Sequence, residues 1–360
     1  MSEMKHRMII FGTCMMVLGL LILPILSEKE GIFHTTATAQ KVFKFKFADM
    51  VPPGSTIARC GLWWTSEVDK RTGGRVKVEC FWGGSLIGAY EQLNAVKSGI
   101  IHVTPYYSGY HPDLAPLPAM GLFPLINRGP LKEAMAASDE WHSTDPAVAA
   151  EFKKNNVKYL YSYSAGNHNL WSKVPIKSLA DLKGLRIRTF GPFLTLFKEL
   201  GCGLVSVPVP EVYTALERGA VDCTTQYLSN AIGGRYQEVV KSVNLTELGH
   251  NVGAPIVMNL DAWNSLPSDI QTIITKINGE MIEKNAEIDR EVYNSCMKTL
   301  KESGLTTFQF SKDEVGKLTE LSRTKVWEPY AAKLDEKGIA ATPALKHYIQ
   351  LAEKYSKTGR

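Results

Sequence analysis

After Gln40, segments with a strand pattern alternate with segments that have a helix pattern. VFKFKFAD alternates apolar and polar residues, as a half-buried strand does, and RVKVECFW and IIHVTPYY also have strand character. Between them, STIARCGLWWTSEVDKRTGG has a serine cap and a glycine stop, and AYEQLNAVKSG is a second helix candidate. This β-α-β-α-β order favours a parallel sheet with right-handed crossovers.

A second series of the same kind begins at GLRIRTF and continues to AVDCTTQ. VNLTELG and APIVMNLDAW are further strand candidates, and residues 268–303 have the strongest helix pattern in the chain. LTTFQF and two more predicted helices follow. The chain therefore forms two α/β units and returns to the first after the second. Because ligands of open α/β sheets bind at the carboxyl ends of the strands, we expect a binding cleft between the units.

The first 39 residues have the layout of a secretory signal. Lys5 and Arg7 lie in a basic start, an apolar run follows, and Ala37 and Ala39 fit a small-residue cleavage site. The apolar run is nearly long enough to span a bilayer, so a retained anchor is the alternative. We expect a periplasmic protein that is cleaved near Ala39.

Composition and motifs exclude several classes of function. Lys and Arg total 41 against 36 for Asp and Glu, and no basic run is present, so we expect no nucleic-acid partner. The sequence has no H-E-x-x-H, G-x-S-x-G or Walker A motif, so we expect no enzyme. The five cysteines that would remain after cleavage match no zinc pattern, and we expect no metal and no cofactor. A bridge between Cys60 and Cys80 is left open.

DLKGLRIRTFGP, residues 181–192, places two arginines in a short apolar run. A buried, unpaired charge costs several kcal/mol, so an arginine at the end of a buried strand needs a partner. Arg188 lies at the carboxyl end of the predicted strand, where a ligand carboxylate could pair with its planar guanidinium. The alternative for Arg188 is a structural salt bridge. For Arg186 we expect a side chain that reaches the surface.

Several motifs in the right order resemble the solute-binding proteins of tripartite ATP-independent periplasmic (TRAP) transporters. They are EVDKRTGGRVKVECFWGGSL, QLNAVKSGIIHVT, DLKGLRIRTFG, VPEVYTALERGAVDC and LPSDIQTII. The resemblance covers about residues 42–335. It implies an α/β, two-lobed periplasmic-binding-protein fold of type II-like form, with a long helix that spans both lobes. It also implies an organic acid ligand, TRAP membrane permease subunits as partners, and a monomer.

The resemblance also implies lobe boundaries and candidate ligand contacts. Lobe I is expected from residues 40–165 plus 251–290, lobe II from 166–250, and a C-terminal helical region across both lobes from 291–360. Arg188 matches the arginine with which the family holds its acid, Gln226 falls where the family has an asparagine, and His168 lies near the place of a second arginine. The predicted ligand-binding residues are Arg188, Gln226, His168, Asn167, Trp82, Tyr106, Trp171, Phe190 and Tyr227.

The missing second arginine and the aromatic candidates favour a monocarboxylate with an apolar or aromatic body. A C4-dicarboxylate in the same role is the first alternative. The second is a binding protein for an ABC importer or a sensory receptor.

Overall fold

The computed structural model describes residues 41–358; the predicted signal segment, 1–39, lies outside them. The strands are β1 Phe43–Ala48, β2 Val76–Phe81, β3 Val103–Pro105, β4 Val157–Tyr161, β5 His168–Ser172, β6 Arg186–Arg188, β7 Gly203–Val205, β8 Cys223–Tyr227, β9 Ser242–Asn244, β10 Ile256–Asn259 and β11 Thr306–Phe308.

The helices are α1 Thr56–Arg71, α2 Gln92–Ser98, α3 Leu131–Thr144, α4 Pro146–Lys154, α5 Phe193–Glu199, α6 Val212–Glu217, α7 Leu228–Gly233, α8 Leu260–Asn264, α9 Ser268–Gly279, α10 Met281–Glu302, α11 Lys312–Ser322, α12 Glu328–Asp335 and α13 Ala341–Thr358. Within residues 41–358, none of these helices combines the length and the apolar character needed to cross a membrane.

The first sheet has the order β2-β1-β3-β10-β4. Its β1 strand alternates buried phenylalanines with exposed lysines, and α1 begins where the Ser55 hydroxyl accepts from the Ala58 N–H. Strands β1, β2 and β3 are parallel, as the sequence predicts, but β10 is antiparallel to β3 and β4. The expectation of a fully parallel sheet is therefore wrong, because the chain re-enters this sheet from the opposite direction after building the second one.

The second sheet has the order β11-β9-β5-β8-β6-β7. Its central strand β5 is antiparallel to β8 and β9. The sequence interpretation placed this segment in a crossing between lobes, because HNLWS carries polar residues without alternation. All five residues are buried, so the strand is covered on both faces and leaves no alternating signal.

Two chain segments connect the lobes, and these segments run next to each other. The Asn167 backbone pairs with that of His250, and the Leu248 N–H donates to the His168 carbonyl at 3.1 Å. The predicted helix over 268–303 is two helices, α9 and α10, interrupted at Glu280. Helix α10 packs against α1 of the first lobe and α7 of the second.

The C-terminal part contains three helices where the sequence predicts two. A π-helical turn, Arg323–Trp327, joins α11 to α12. Helix α13 packs on α3, where the Trp141 indole N–H donates to the Ala344 carbonyl at 3.0 Å. At the other end, a carboxylate oxygen of Glu314 on α11 accepts from the Leu179 N–H of the second lobe at 2.8 Å.

Gly253 should be among the positions least tolerant of substitution. A Cβ there would lie 2.6 Å from both the Leu122 nitrogen and the Pro118 oxygen, which are backbone atoms. We expect Gly253→Ala to lower the free energy of unfolding in urea by about 1–3 kcal/mol, because the added methyl group would overpack this segment. Gly316→Ala, in α11 where nothing lies within 4 Å, is the control and should raise it by up to about 1 kcal/mol. Equal effects of the two variants would contradict the packing described.

Candidate functional site

Arg188 is the last residue of β6 and is fully buried. Its Nε donates to the Val207 carbonyl at 2.9 Å, and its Nη2 donates to the Tyr110 hydroxyl at 3.0 Å. Its Nη1 has no hydrogen-bond partner in the described part of the chain, and no carboxylate between residues 41 and 358 forms a salt bridge with it. The guanidinium therefore presents a free donor and an unbalanced charge inside the protein.

Arg186 differs from Arg188 although both lie on the same short strand. Because side chains alternate across a strand, Arg186 and Arg188 project from the same face of the sheet and Ile187 from the other. The two arginines differ in their exposure and in their partners. Arg186 is exposed, and its guanidinium binds both oxygens of Asp222, at 2.6 and 3.0 Å. A surface ion pair of this kind accounts for Arg186 and leaves Arg188 without a charge partner.

Aromatic rings from both lobes cover the Arg188 guanidinium. Tyr110 follows β3 of the first sheet, and its ring stacks on that of Phe190 from the second lobe at 5.6 Å with an interplanar angle of 1°. The guanidinium carbon lies 5.4 Å from the Phe190 ring centroid. Gly109 allows this approach, since a Cβ there would lie 2.8 Å from the Phe190 ring. The lobes thus meet directly over Arg188.

His168 lies behind these rings. Its ring centroid is 5.9 Å from that of Phe190, 4.9 Å from that of Phe193 and 5.4 Å from that of Tyr227. Neither ring nitrogen has a hydrogen-bond partner among the described residues. Burial lowers the pKa of His168 to about 3, and Arg188 and His250 add to the effect. The imidazole is therefore neutral at pH 7 and offers one donor and one acceptor.

A second buried polar group, Asp49, lies in the first lobe. Asp49 follows β1, and its Oδ1 accepts from the Tyr107 hydroxyl at 2.8 Å and from the Val51 N–H at 3.3 Å. Its Oδ2 is buried and has no partner within residues 41–358. Burial raises the pKa of Asp49 to about 7, against the effect of these hydrogen bonds. Tyr163 and Tyr227 are also buried, and their hydroxyls, like the Asp49 carboxylate, help to raise the pKa of Tyr107.

The sequence interpretation did not single out Asp49, Tyr110 or Tyr163. A signal for Asp49 existed, because it stands directly after the first predicted strand, at the carboxyl end where ligands bind. Tyr110 lies in a short 3-10 helix, Ser108–Tyr110, and Tyr163 in an irregular segment, and neither carries such a pattern.

Gln226 and Trp171 are buried side by side in the second sheet. The Gln226 Oε1 accepts from the Tyr227 N–H at 3.1 Å, while its Nε2 has no partner at hydrogen-bond geometry in the described chain. The Trp171 indole N–H donates to the Gln226 carbonyl at 3.1 Å, and its ring packs against Tyr236 at 6.4 Å. Trp171 thus supports the strand that carries Gln226.

The structure places two predicted wall residues away from Arg188. Trp82 packs on Phe47 with ring centroids 5.3 Å apart, beside α1. Tyr106 stacks edge-on against Phe152 at 5.2 Å, and its hydroxyl hydrogen-bonds Glu151 and Asn155 in the first lobe. The neighbouring residue, Tyr107, instead donates a hydrogen bond to Asp49.

Asn167 borders a different space. Together with Asn169, Gly166, Ser229, His250 and Asp289 it lines a cavity of about 300 Å³ at the lobe crossings. The Asn167 Nδ2 lies 3.5 Å from the His250 Nε2, which in turn hydrogen-bonds the Gly129 carbonyl at 2.9 Å. The cysteines from Cys60 to Cys296 are free thiols in the described residues, so Cys60 and Cys80 are not bridged.

Comparison with known proteins gives this arrangement a family. Residues 47–333 match the family model of the bacterial extracellular solute-binding proteins, family 7. The chain belongs to this family. It is a TRAP transporter solute-binding protein with a two-lobed periplasmic-binding fold.

Three relatives illustrate the range of ligands. The C4-dicarboxylate-binding periplasmic protein of Rhodobacter capsulatus is 23% identical over 83% of this chain and 90% of its own length. A TRAP protein of Desulfovibrio salexigens with bound orotic acid superimposes with a TM-score of 0.79 at 20% identity, over 87% of this chain and 99% of that one. One from Rhodoferax ferrireducens with copurified benzoate has a TM-score of 0.77 at 21% identity, over 89% and 100%.

The neutral buried state of His168 predicts a pH-dependent contribution to stability. Because the folded pKa of about 3 lies below the ordinary 6.5, the unfolded chain takes up the proton first. This contribution is complete above pH 6.5 and is lost as the pH falls toward 3. His168→Gln should remove a slope of about 1.4 kcal/mol per pH unit between pH 6 and 4 from the unfolding free energy in urea.

Phe193→Leu is the matched control, since it alters the packing on the same imidazole without removing a titratable group. It should shift the unfolding free energy by a similar amount at every pH. An unchanged slope in His168→Gln would show that this imidazole takes up a proton in the folded protein.

Proposed function

We propose that this protein captures a small organic carboxylate in the periplasm and delivers it to a TRAP-type membrane permease. The favoured ligand is a monocarboxylate with an apolar or aromatic body. The observation that carries the proposal is the fully buried guanidinium of Arg188, whose Nη1 has no partner in residues 41–358. The ligand, rather than the protein, supplies the counter-charge.

Charge and geometry favour a carboxylate as this partner. A guanidinium binds a carboxylate through directed N–H donors, and a low-dielectric, water-excluded cleft strengthens that pair. Two of the Arg188 nitrogens are already held by the Val207 carbonyl and the Tyr110 hydroxyl, so the fork is oriented before the ligand arrives. The remaining nitrogen, Nη1, then donates to the acid.

The surroundings of Arg188 favour an apolar body and a single carboxylate. Phe190 and Tyr110 present flat ring surfaces beside the guanidinium, and such surfaces suit aromatic or apolar groups. His168 is neutral, and Asp49 is itself an acid, so neither supplies a second positive charge. The relatives with bound orotic acid and benzoate agree with an aromatic body, and the C4-dicarboxylate-binding relative keeps the dicarboxylate alternative open.

Lobe closure gives the proposed mechanism. The Tyr110–Arg188 hydrogen bond and the contact of Gly109 with Phe190 join the lobes above the carboxylate position. When the lobes separate, both contacts break and Arg188 meets solvent; when they close, water is excluded and the outer surface changes. We further propose that residues 1–39 are an export signal removed near Ala39, and that lobe boundaries follow the crossings at 165–166 and 250–251.

Arg188→Met tests the proposal. The protein is purified, stripped of carried-over ligand by unfolding and refolding, and screened with aliphatic, aromatic and dicarboxylic acids by thermal unfolding. An acid at about 100 times its Kd adds about 2.7 kcal/mol to the stability of the wild type. We expect Arg188→Met to weaken binding of that acid by about 100-fold or more, since one partner of a buried charge pair is lost.

Arg186→Met is the matched control, because it removes the neighbouring guanidinium, which is exposed and paired with Asp222. It should bind the acid as the wild type does. Equal stabilisation of Arg188→Met and the wild type by the same acid would contradict the proposal.

A further inference from the structure

We propose that Asp49 is a second ligand contact, and that the ligand carries a hydrogen-bond donor, a hydroxyl or amino group, at the end remote from its carboxylate. This inference rests on the proposed function, because it assumes that Arg188 holds the carboxylate. It adds to that function a specificity-determining residue from the opposite lobe.

The first step is that Asp49 and Arg188, which lie in different lobes, are connected by side-chain contacts. A chain of contacts connects them: Asp49 accepts from the Tyr107 hydroxyl, the Tyr107 ring packs edge-on against Tyr110 at 6.2 Å, and Tyr110 accepts from Arg188. Asp49 raises and Arg188 lowers the pKa of Tyr227, which belongs to the second lobe. A chain of buried tyrosines that crosses between the lobes therefore connects Asp49 to Arg188.

The second step concerns the free oxygen. Asp49 is 1% exposed, and its Oδ2 has no partner in the described chain, although a carboxylate oxygen out of water needs a donor. The hydroxyl of Tyr107 contacts the other carboxylate oxygen, and the buried Tyr161, Tyr163 and Tyr227 interact electrostatically with Asp49, which helps to raise the pKa of each of these tyrosines. No Lys or Arg forms a salt bridge with Asp49 within residues 41–358. A hydrogen-bond donor on the ligand would pair with this oxygen, just as the ligand carboxylate is proposed to pair with the Arg188 guanidinium.

The third step is that a structural role accounts for only one of the two Asp49 oxygens. The Oδ1 already binds Tyr107 and the Val51 N–H, and these contacts are enough to hold the side chain in place. The second oxygen contributes no further contact within the described chain, yet its burial raises the pKa of the carboxyl group to about 7. Packing therefore leaves one Asp49 oxygen without a role, and above the pKa of about 7, where the carboxyl group is ionised, this oxygen is a hydrogen-bond acceptor.

The experiment compares acids that differ only in a donor. The probes are benzoate with 3- and 4-hydroxybenzoate, phenylacetate with its 3- and 4-hydroxy forms, and butanoate with 4-hydroxybutanoate and 4-aminobutanoate. Binding to the full mature chain is measured by isothermal titration calorimetry. We expect at least one donor-bearing acid to bind about 10- to 100-fold more tightly than its parent, the range of a hydrogen bond to a charged group.

Asp49→Asn keeps an acceptor for Tyr107 and turns the free oxygen into an N–H donor. It should abolish the preference for the donor-bearing acid while leaving the parent acid's affinity within a few-fold of the wild type. Asp113→Asn, the same charge change at an exposed site of the same lobe, should keep the preference. Arg188→Met should weaken parent and donor-bearing acids alike, which separates the two contacts.

Two outcomes overturn the inference alone: parent and donor-bearing acids bind the wild type equally, or Asp49→Asn keeps the preference. Binding that Arg188→Met does not weaken overturns the carboxylate role of Arg188 and, with it, the placement of the donor. The absence of binding by every acid overturns both.

Discussion

The interaction on which the site depends is the burial of one guanidinium between two lobes. Arg188 ends a strand of the second sheet, yet one of its nitrogens donates to Tyr110 of the first lobe. A charge in this position is costly unless it is paired, and no carboxylate in the described chain pairs with it. Lobe contact, aromatic stacking on Phe190 and the proposed ligand carboxylate therefore all meet at this residue.

Like Arg188, several other buried polar groups lack a full set of hydrogen-bond partners in the described residues. Buried polar atoms with no partner in the described residues come from both lobes: Asp49 from the first, and His168 and Gln226 from the second. A protein interior satisfies nearly all such groups, and the proposed ligand would supply the missing hydrogen bonds here. In the proposed complex, the aromatic rings would set the shape of the site and the polar atoms the orientation of the ligand. Affinity and selectivity would then arise from different residues.

Much of the fold could be predicted from the sequence, because local patterns carry it. The alternation in VFKFKFAD and the serine cap of the next helix correspond to β1 and α1, and strand-end position alone drew attention to Arg188. Long-range pairing could not be predicted in the same way. The direction of β10 depends on the route of the chain through the second lobe, and β5, buried on both faces, has no periodic signal.

The residues of the candidate site could be predicted from the sequence only in part, for a related reason. Two adjacent tyrosines follow one strand, and which of them faces the cleft depends on a one-residue register: Tyr107 faces Asp49, whereas Tyr106 hydrogen-bonds Glu151. No sequence pattern shows that Asp49 is buried, because most aspartates are solvated; the hydrogen bonds from Tyr107 and the Val51 N–H that hold it exist only in the folded chain.

The most direct test of the central claim is a crystal structure of the protein with the acid that most raises its unfolding temperature. The account predicts a carboxylate oxygen about 2.7–2.9 Å from the Arg188 Nη1, beneath the stacked rings of Phe190 and Tyr110. A carboxylate bound elsewhere, with Nη1 satisfied by a protein group or by water, would contradict it.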